Sequence, residues 1–195
     1  MSLQMMGPVL IVGLVAAPLC ALAGEKPDAR LLRSGEFVYG DFQGEDALGR
    51  SRIVIARQPD GRYRGDRVSG TRHLRQSTGA APVAVDDAVE AGVIDQRIDW
   101  ASVMARKLEV GLKFTFQVYD PAIATSVGVA MVENGGRVHV PAGDFDTFKI
   151  TYRIGKKSGL EQYVVFASKT VPRIMVREDF PDGVSSKLEM VASTP

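Results

Sequence analysis

Apolar and polar residues alternate one by one along most of this chain, and short turn-forming clusters separate the alternating runs. In Leu112–Tyr119, Leu112, Phe114, Phe116 and Val118 share a face against Lys113, Thr115 and Gln117. In Asp146–Ile154, Phe148, Ile150, Tyr152 and Ile154 oppose Thr147, Lys149, Thr151 and Arg153. In Val184–Val191, Val184, Leu188 and Met190 oppose Ser185, Lys187 and Glu189. A period of two marks strands with one buried face. Further strands are expected near 36–42, 51–57, 62–68, 126–133, 136–140, 160–167 and 172–180. Pro59-Asp60-Gly61 and Pro181-Asp182-Gly183 read as turns in which Pro sets φ and Gly accepts a positive φ. Asn134-Gly135-Gly136 and Lys157-Ser158-Gly159 read as turns as well. Loops this short join antiparallel neighbours, because parallel pairing needs crossovers of about a dozen residues or more. The expected fold is mainly β: an antiparallel meander that forms a curved sheet or half-open β-barrel with one covering helix.

That helix is the one departure from period two. Ile94, Ile98, Ala101, Ala105 and Leu108 recur at spacings of three and four, which lays an apolar stripe along a helix. Asp99 suits the N-cap, Arg106 and Lys107 suit the C-terminal end of the dipole, and Gly111 closes the unit. About ten residues cannot hold a helix alone in water, so it must pack on the sheet. The preceding stretch, Gly79–Gly92, is rich in Ala, Val and Asp and fits a loop or a short edge strand equally.

Residues Met1 to Ala23 carry no charge, and the apolar run Val9–Leu22 is broken by Gly13 and Pro18. A spanning helix needs about 20 apolar residues. Ala21-Leu22-Ala23 supplies a small-x-small cleavage pattern, so 1–23 reads as a secretory signal peptide followed by one β-rich domain, 24–195. No Lys or Arg stands in its first seven residues, which fits that reading badly. Cys20, the single Cys, opens the alternative of a lipoprotein, but Leu19 stands where a small residue is wanted. An uncleaved anchor is the remaining alternative. The expected location is periplasmic or secreted, with no stable membrane span after cleavage. Cleavage after Ala23 would leave a chain of 172 residues without Cys, long enough for one core without staples.

Basic and acidic residues number 24 and 23, which gives no reason to expect a nucleic-acid partner. The charge is uneven, however. Arg50, Arg52, Arg57, Arg62, Arg64, Arg67, Arg72 and Arg75 crowd one segment against Asp60 and Asp66, and Asp86, Asp87, Glu90, Asp95 and Asp99 follow against Arg97. Either the basic hairpin meets an anionic partner, or the two segments neutralise each other in space.

Chemistry-bearing patterns are scarce. His73 and His139 have no companion ligands at metal-binding spacing, and Asp144-Phe145-Asp146 lacks the rest of a calcium loop. There is no Gly-x-Ser-x-Gly, no Ser-x-x-Lys to accompany Lys157-Ser158-Gly159, and no phosphate-binding Gly-rich loop. The expectation is a non-enzymatic protein without a cofactor.

Val138-His139-Val140-Pro141-Ala142-Gly143-Asp144-Phe145-Asp146-Thr147-Phe148-Lys149-Ile150 resembles the signature of DUF3108, a family of exported bacterial proteins of unknown function. Leu108-Glu109-Val110-Gly111 matches the family's strand entrance, and Asp99-Trp100-Ala101-Ser102 resembles its helix start. Tyr163-Val164-Val165 and Pro172-Arg173-Ile174 fit its later features, so the likeness covers roughly 95–191. The resemblance implies an antiparallel β fold. The topology also suggests a half-open barrel like the periplasmic lipoprotein carriers, an analogy that does not transfer function. Within the motif turn, Val140, Pro141, Ala142, Gly143 and Phe145, the reading is structural: Pro141 fixes φ and ends the ladder, Gly143 takes a conformation closed to other residues, and Phe145 and Phe148 restart burial.

Three functions follow in order. The first is a binding module whose concave wall, lined by Phe114, Phe116, Phe148, Ile150, Tyr152, Ile174 and Val176, holds a lipid or other apolar ligand, with the Arg-rich hairpin near anionic headgroups. The second is an envelope interaction domain with a filled core, which binds a protein by a strand edge or surface patch. The third is a small hydrolase. Alternation alone cannot separate a hollow wall from a packed one.

Overall fold

The computed structural model describes residues 28–57, 63–69, 93–95, 99–120, 124–156 and 159–192. A single 3-10 turn (Ala29–Leu31) precedes β1 (Gly35–Gln43), β2 (Asp46–Arg57), β3 (Tyr63–Ser69) and β4 (Val93–Asp95). Helix α1 (Asp99–Met104) leads into β5 (Lys113–Asp120), β6 (Ala124–Val140), β7 (Gly143–Lys156), β8 (Gly159–Ser168), β9 (Met175–Asp179) and β10 (Val184–Ala192). The segment 1–23, the Pro59-Asp60-Gly61 turn, the stretch Gly79–Gly92 with Asp86, Asp87 and Glu90 of the acidic run, and Lys157-Ser158 lie outside the described residues.

All ten strands form one sheet in the order β3-β2-β1-β10-β9-β8-β7-β6-β5-β4. From β5 to β10 the order follows the chain, as a meander does. The last strand then pairs with the first, Phe37 with Val191 and Asp41 with Ser186, and β2 and β3 continue outward from β1. The sheet is open, with β3 and β4 at its two ends. It is also strongly curved. Ala142, at the tip of the β6–β7 hairpin, donates its backbone N–H to the carbonyl of Leu188 in β10 at 3.1 Å. Three strands separate β6 from β10 in the sheet order. In a flat sheet that separation would be about 19 Å, at ~4.8 Å per strand step.

Five sequence expectations need correction. Ile94 is not part of the helix: it lies in β4, which pairs parallel with β5 (Ile94 with Val118) rather than antiparallel. The helix has six residues, and Ala105 and Leu108 follow it as buried coil. Asn134-Gly135-Gly136 is a bulge inside one long strand, not a turn between two. There the Thr147 hydroxyl donates to Gly136 O (3.1 Å), and a methyl on Gly135 would lie 2.3 Å from that hydroxyl oxygen. The bulge buries Thr147 and leaves Phe148 half-buried, where alternation predicts the reverse. Finally, a register shift in the β1–β10 ladder between Val38 and Tyr39 turns Met190 out to solvent, while Val191 packs against the core.

The core covers the concave face. Phe37, Tyr39, Ile53, Ile55, Phe114, Phe116, Ile150, Tyr152, Ile154 and Leu188 come from the sheet, and Trp100, Val103 and Met104 come from α1. Arg173 ties the helix end to this core. Its guanidinium donates to the carbonyls of Met104 (3.3 Å) and Arg106 (2.9 Å). Its backbone pairs with Leu31 and Arg33. The carbonyls of a helix C-terminus lack intrahelical donors, and here a side chain from the β8–β9 loop supplies them.

Candidate functional site

The apolar positions expected to line a cavity come together on the concave face. Ile150, Tyr152 and Val176 have no accessible surface at all, and Phe114, Phe116 and Ile174 keep at most 5%. Their rings form a continuous chain: Phe114 to Phe116 at 6.0 Å, Phe116 to Tyr152 at 6.2 Å, and Tyr152 stacked on Tyr163 at 5.3 Å. Phe116 lies on Gly128, where an added methyl would sit 2.4 Å from the ring. Phe148 stands apart at the end of the wall, half-buried, with Lys169 and Arg173 at 5.6 and 5.8 Å from its ring centre. Side chains with zero accessible surface border no space that a water molecule can enter.

Two of the expected basic residues are neutralised by neighbouring strands. Arg50 pairs with Glu189 (2.7 Å) and Arg52 with Glu36 (2.7 Å). The Arg52 hydrogen bond holds the Glu36 carboxyl below the usual carboxylate range. Arg57 is the last residue of β2, and Arg64 and Arg67 belong to β3, but their side chains are outside the described set, as is Arg62 altogether.

The motif residues Val140, Pro141, Ala142, Gly143 and Phe145 build the β6–β7 hairpin tip. Val140 pairs with Gly143, so Pro141 and Ala142 alone make the connection, and Gly143 has φ +124°. Val140 is buried and Phe145 packs against the core from the rim. On the outer side Asp144 accepts from His139 (2.7 Å) and Arg137 (3.0 Å), which holds its carboxyl below the usual range.

A polar cluster escaped the sequence reading. Asp41 is fully buried on β1, and its Oδ1 accepts from Ser51 of β2 (3.2 Å) and Ser186 of β10 (2.5 Å). Ser186 stands opposite both Asp41 and the buried Glu178 of β9. The signal was present: Asp41 shares parity with Phe37 and Tyr39, so a carboxylate occupied a core-facing position. A second cluster lies at the rim, where Lys156 donates to Tyr163 Oη (2.6 Å) and Tyr163 donates to Glu161 (2.7 Å). Asp41 with its two serines, and Tyr163 with Lys156 and Glu161, find partners inside their own clusters. Among the described residues no three His, Cys, Asp or Glu side chains converge in a group that could hold a metal ion.

Two solved structures are similar to this chain at low identity. One is a protein from Bacteroides fragilis described as a candidate exported protein with a YmcC-like fold: 10% identity over 87% of this chain and 100% of that one, with a TM-score of 0.39. The other is described as a candidate lipoprotein from Parabacteroides distasonis: 10% identity over 86% of this chain and 100% of that one, TM-score 0.43. No curated protein matches the sequence. The family model for DUF3108, a protein of unknown function, matches residues 56–191, taking in the hairpin, the helix and every strand from β3 to β9. The chain belongs to the DUF3108 family.

Proposed function

We infer that this domain is a non-enzymatic interaction module of the bacterial envelope, with a filled core, that binds a protein partner on its surface. The packing of the concave face carries the reading: the side chains suited to line a cavity instead fill it, with Ile150, Tyr152 and Val176 fully enclosed. Magnitudes favour a filled interior. A ligand-sized cavity of ~300 Å³ opened in such a core costs roughly 7 kcal/mol at ~24 cal/mol per Å³. That rivals the ~5–15 kcal/mol that holds a whole domain together. The polar clusters serve the fold, since Asp41 is spent on two buried serines and Tyr163 on Lys156 and Glu161. Export rests on the uncharged, apolar 1–23 segment with its Ala21-Leu22-Ala23 pattern.

Native mass spectrometry of protein recovered from the periplasm tests the reading. A mass equal to the processed chain alone, with no uptake of a fluorescent fatty-acid probe, is expected. A lipid-sized adduct, or saturable probe binding that Phe116→Arg abolishes in a folded protein, would replace this reading with that of an apolar-ligand carrier.

A further inference from the structure

We propose that the outer face of β5–β8 is the docking surface, and that its occupant is an extended protein segment carrying acidic and apolar residues; this rests on the reading of the domain as an interaction module. Three large apolar side chains on these strands face away from the core. Val127 and Val129 of β6 are 60% and 53% exposed, and Leu160 of β8 is 68% exposed. Gly155, opposite Leu160 in the β7–β8 ladder, leaves a notch: a methyl there would meet only Ser126 Cβ, at 3.8 Å. A ridge of valines beside a notch on one sheet face gives a partner something to bury, and contiguous exposed apolar surface marks such contacts.

Charge identifies the partner. Lys113 stands opposite Met131 at one side of the ridge, and Arg153 stands opposite Val129. Both are exposed, and neither meets a carboxylate among the described residues; Arg153 donates only to Gln162 (2.9 Å). Several other described cations on the sheet have carboxylate partners: Arg50–Glu189 and Arg52–Glu36 on β1, β2 and β10, and Lys149–Glu133 further along this same face. Two cations flanking an apolar ridge complement an extended segment in which every second side chain, the set that faces the sheet, is apolar or acidic. A lipid surface fits less well. Two cations fall short of the polybasic cluster that holds a protein on an anionic leaflet.

Methyl NMR of the full chain titrated with a synthetic peptide in which Val and Glu take turns at every second position, with Ser between them, tests this, beside its Val–Lys counterpart and phosphatidylglycerol vesicles. The Val–Glu peptide should shift Val127, Val129 and Leu160. A Lys113→Glu/Arg153→Glu double variant should bind it about tenfold more weakly and gain affinity for the Val–Lys peptide. Equal binding of the two peptides by the unaltered protein, shifts confined to other faces, no shift at millimolar peptide, or preference for the vesicles would each overturn it. A lipid adduct in the native mass spectrum would overturn the filled-core reading independently of this result.

Discussion

Ala142 gives its backbone N–H to Leu188 across the mouth of a rolled sheet. The family motif is therefore a latch as well as a turn: Pro141 and Ala142 reverse the chain, and the reversal places its one amide against β10. An amide in a two-residue turn ordinarily exchanges with solvent quickly. This one should exchange as slowly as the amides of the β6–β7 ladder, a contrast that hydrogen-exchange NMR reads residue by residue.

Gly143 makes that geometry available. At φ +124° it holds a conformation that a side chain disfavours, although open space surrounds it. Gly143→Ala should therefore destabilise the domain by about 1–3 kcal/mol through backbone strain alone. Urea denaturation should show a lower midpoint with an unchanged slope.

Arg173 is held by neutral partners. Burial pulls its guanidinium below its ordinary value, yet it remains charged and donates to Met104 O and Arg106 O. Arg173→Met removes the donors and strands two carbonyls at the end of α1, a loss of roughly 3 kcal/mol. Arg173→Lys should recover less than half of it, because an ammonium is a compact point charge and cannot reproduce the planar fork. Denaturation of the three proteins in parallel gives the ranking.

Strand positions were legible because side-chain parity is a local property: Phe114 and Phe116, Ile150 and Tyr152, and Val184 and Leu188 all point where alternation put them. What escaped was decided by neighbours remote in sequence. Asn134-Gly135-Gly136 has the composition of a hairpin turn, and only Thr147 across the ladder makes it a bulge. Ile94 fits a helical stripe and also a strand; pairing with Val118 chose the strand. Asp41 was readable as a carboxylate with core parity, but its serine partners lie on two other strands, one of them 145 residues away. Whether the apolar wall is hollow or packed depends on what lies against it, which no single strand encodes.

Asp144 should titrate below the usual carboxylate range, because it accepts from His139 and, second, from Arg137. Its folded-state value lies below its unfolded one. The contribution is thus present above the unfolded value and lost as pH falls through the folded value, under the ordinary carboxylate range. The group is exposed, so salt should weaken the effect. A carboxyl-detected NMR titration should find the midpoint rising toward the ordinary value in His139→Ala, and the tip amides loosening only at acid pH.

Phe116 resting on Gly128 turns the filled-core reading into a stability measurement. A methyl at position 128 would lie 2.4 Å from the ring, so one of the two must move. The ring is the far end of a rotatable side chain and would swing aside freely if a cavity lay beside it. Here Phe114 and Tyr152 stand at 6.0 and 6.2 Å on either side, and Phe116 keeps 4% exposure. Gly128→Ala should therefore destabilise by about 1–3 kcal/mol, as overpacking does. Phe116→Leu should itself be destabilising, but in that background the added methyl should cost far less, giving a coupling in a double-mutant cycle. Near-neutral Gly128→Ala in the otherwise unaltered protein would mean that the ring has somewhere to go, and the interior would then have room for a ligand.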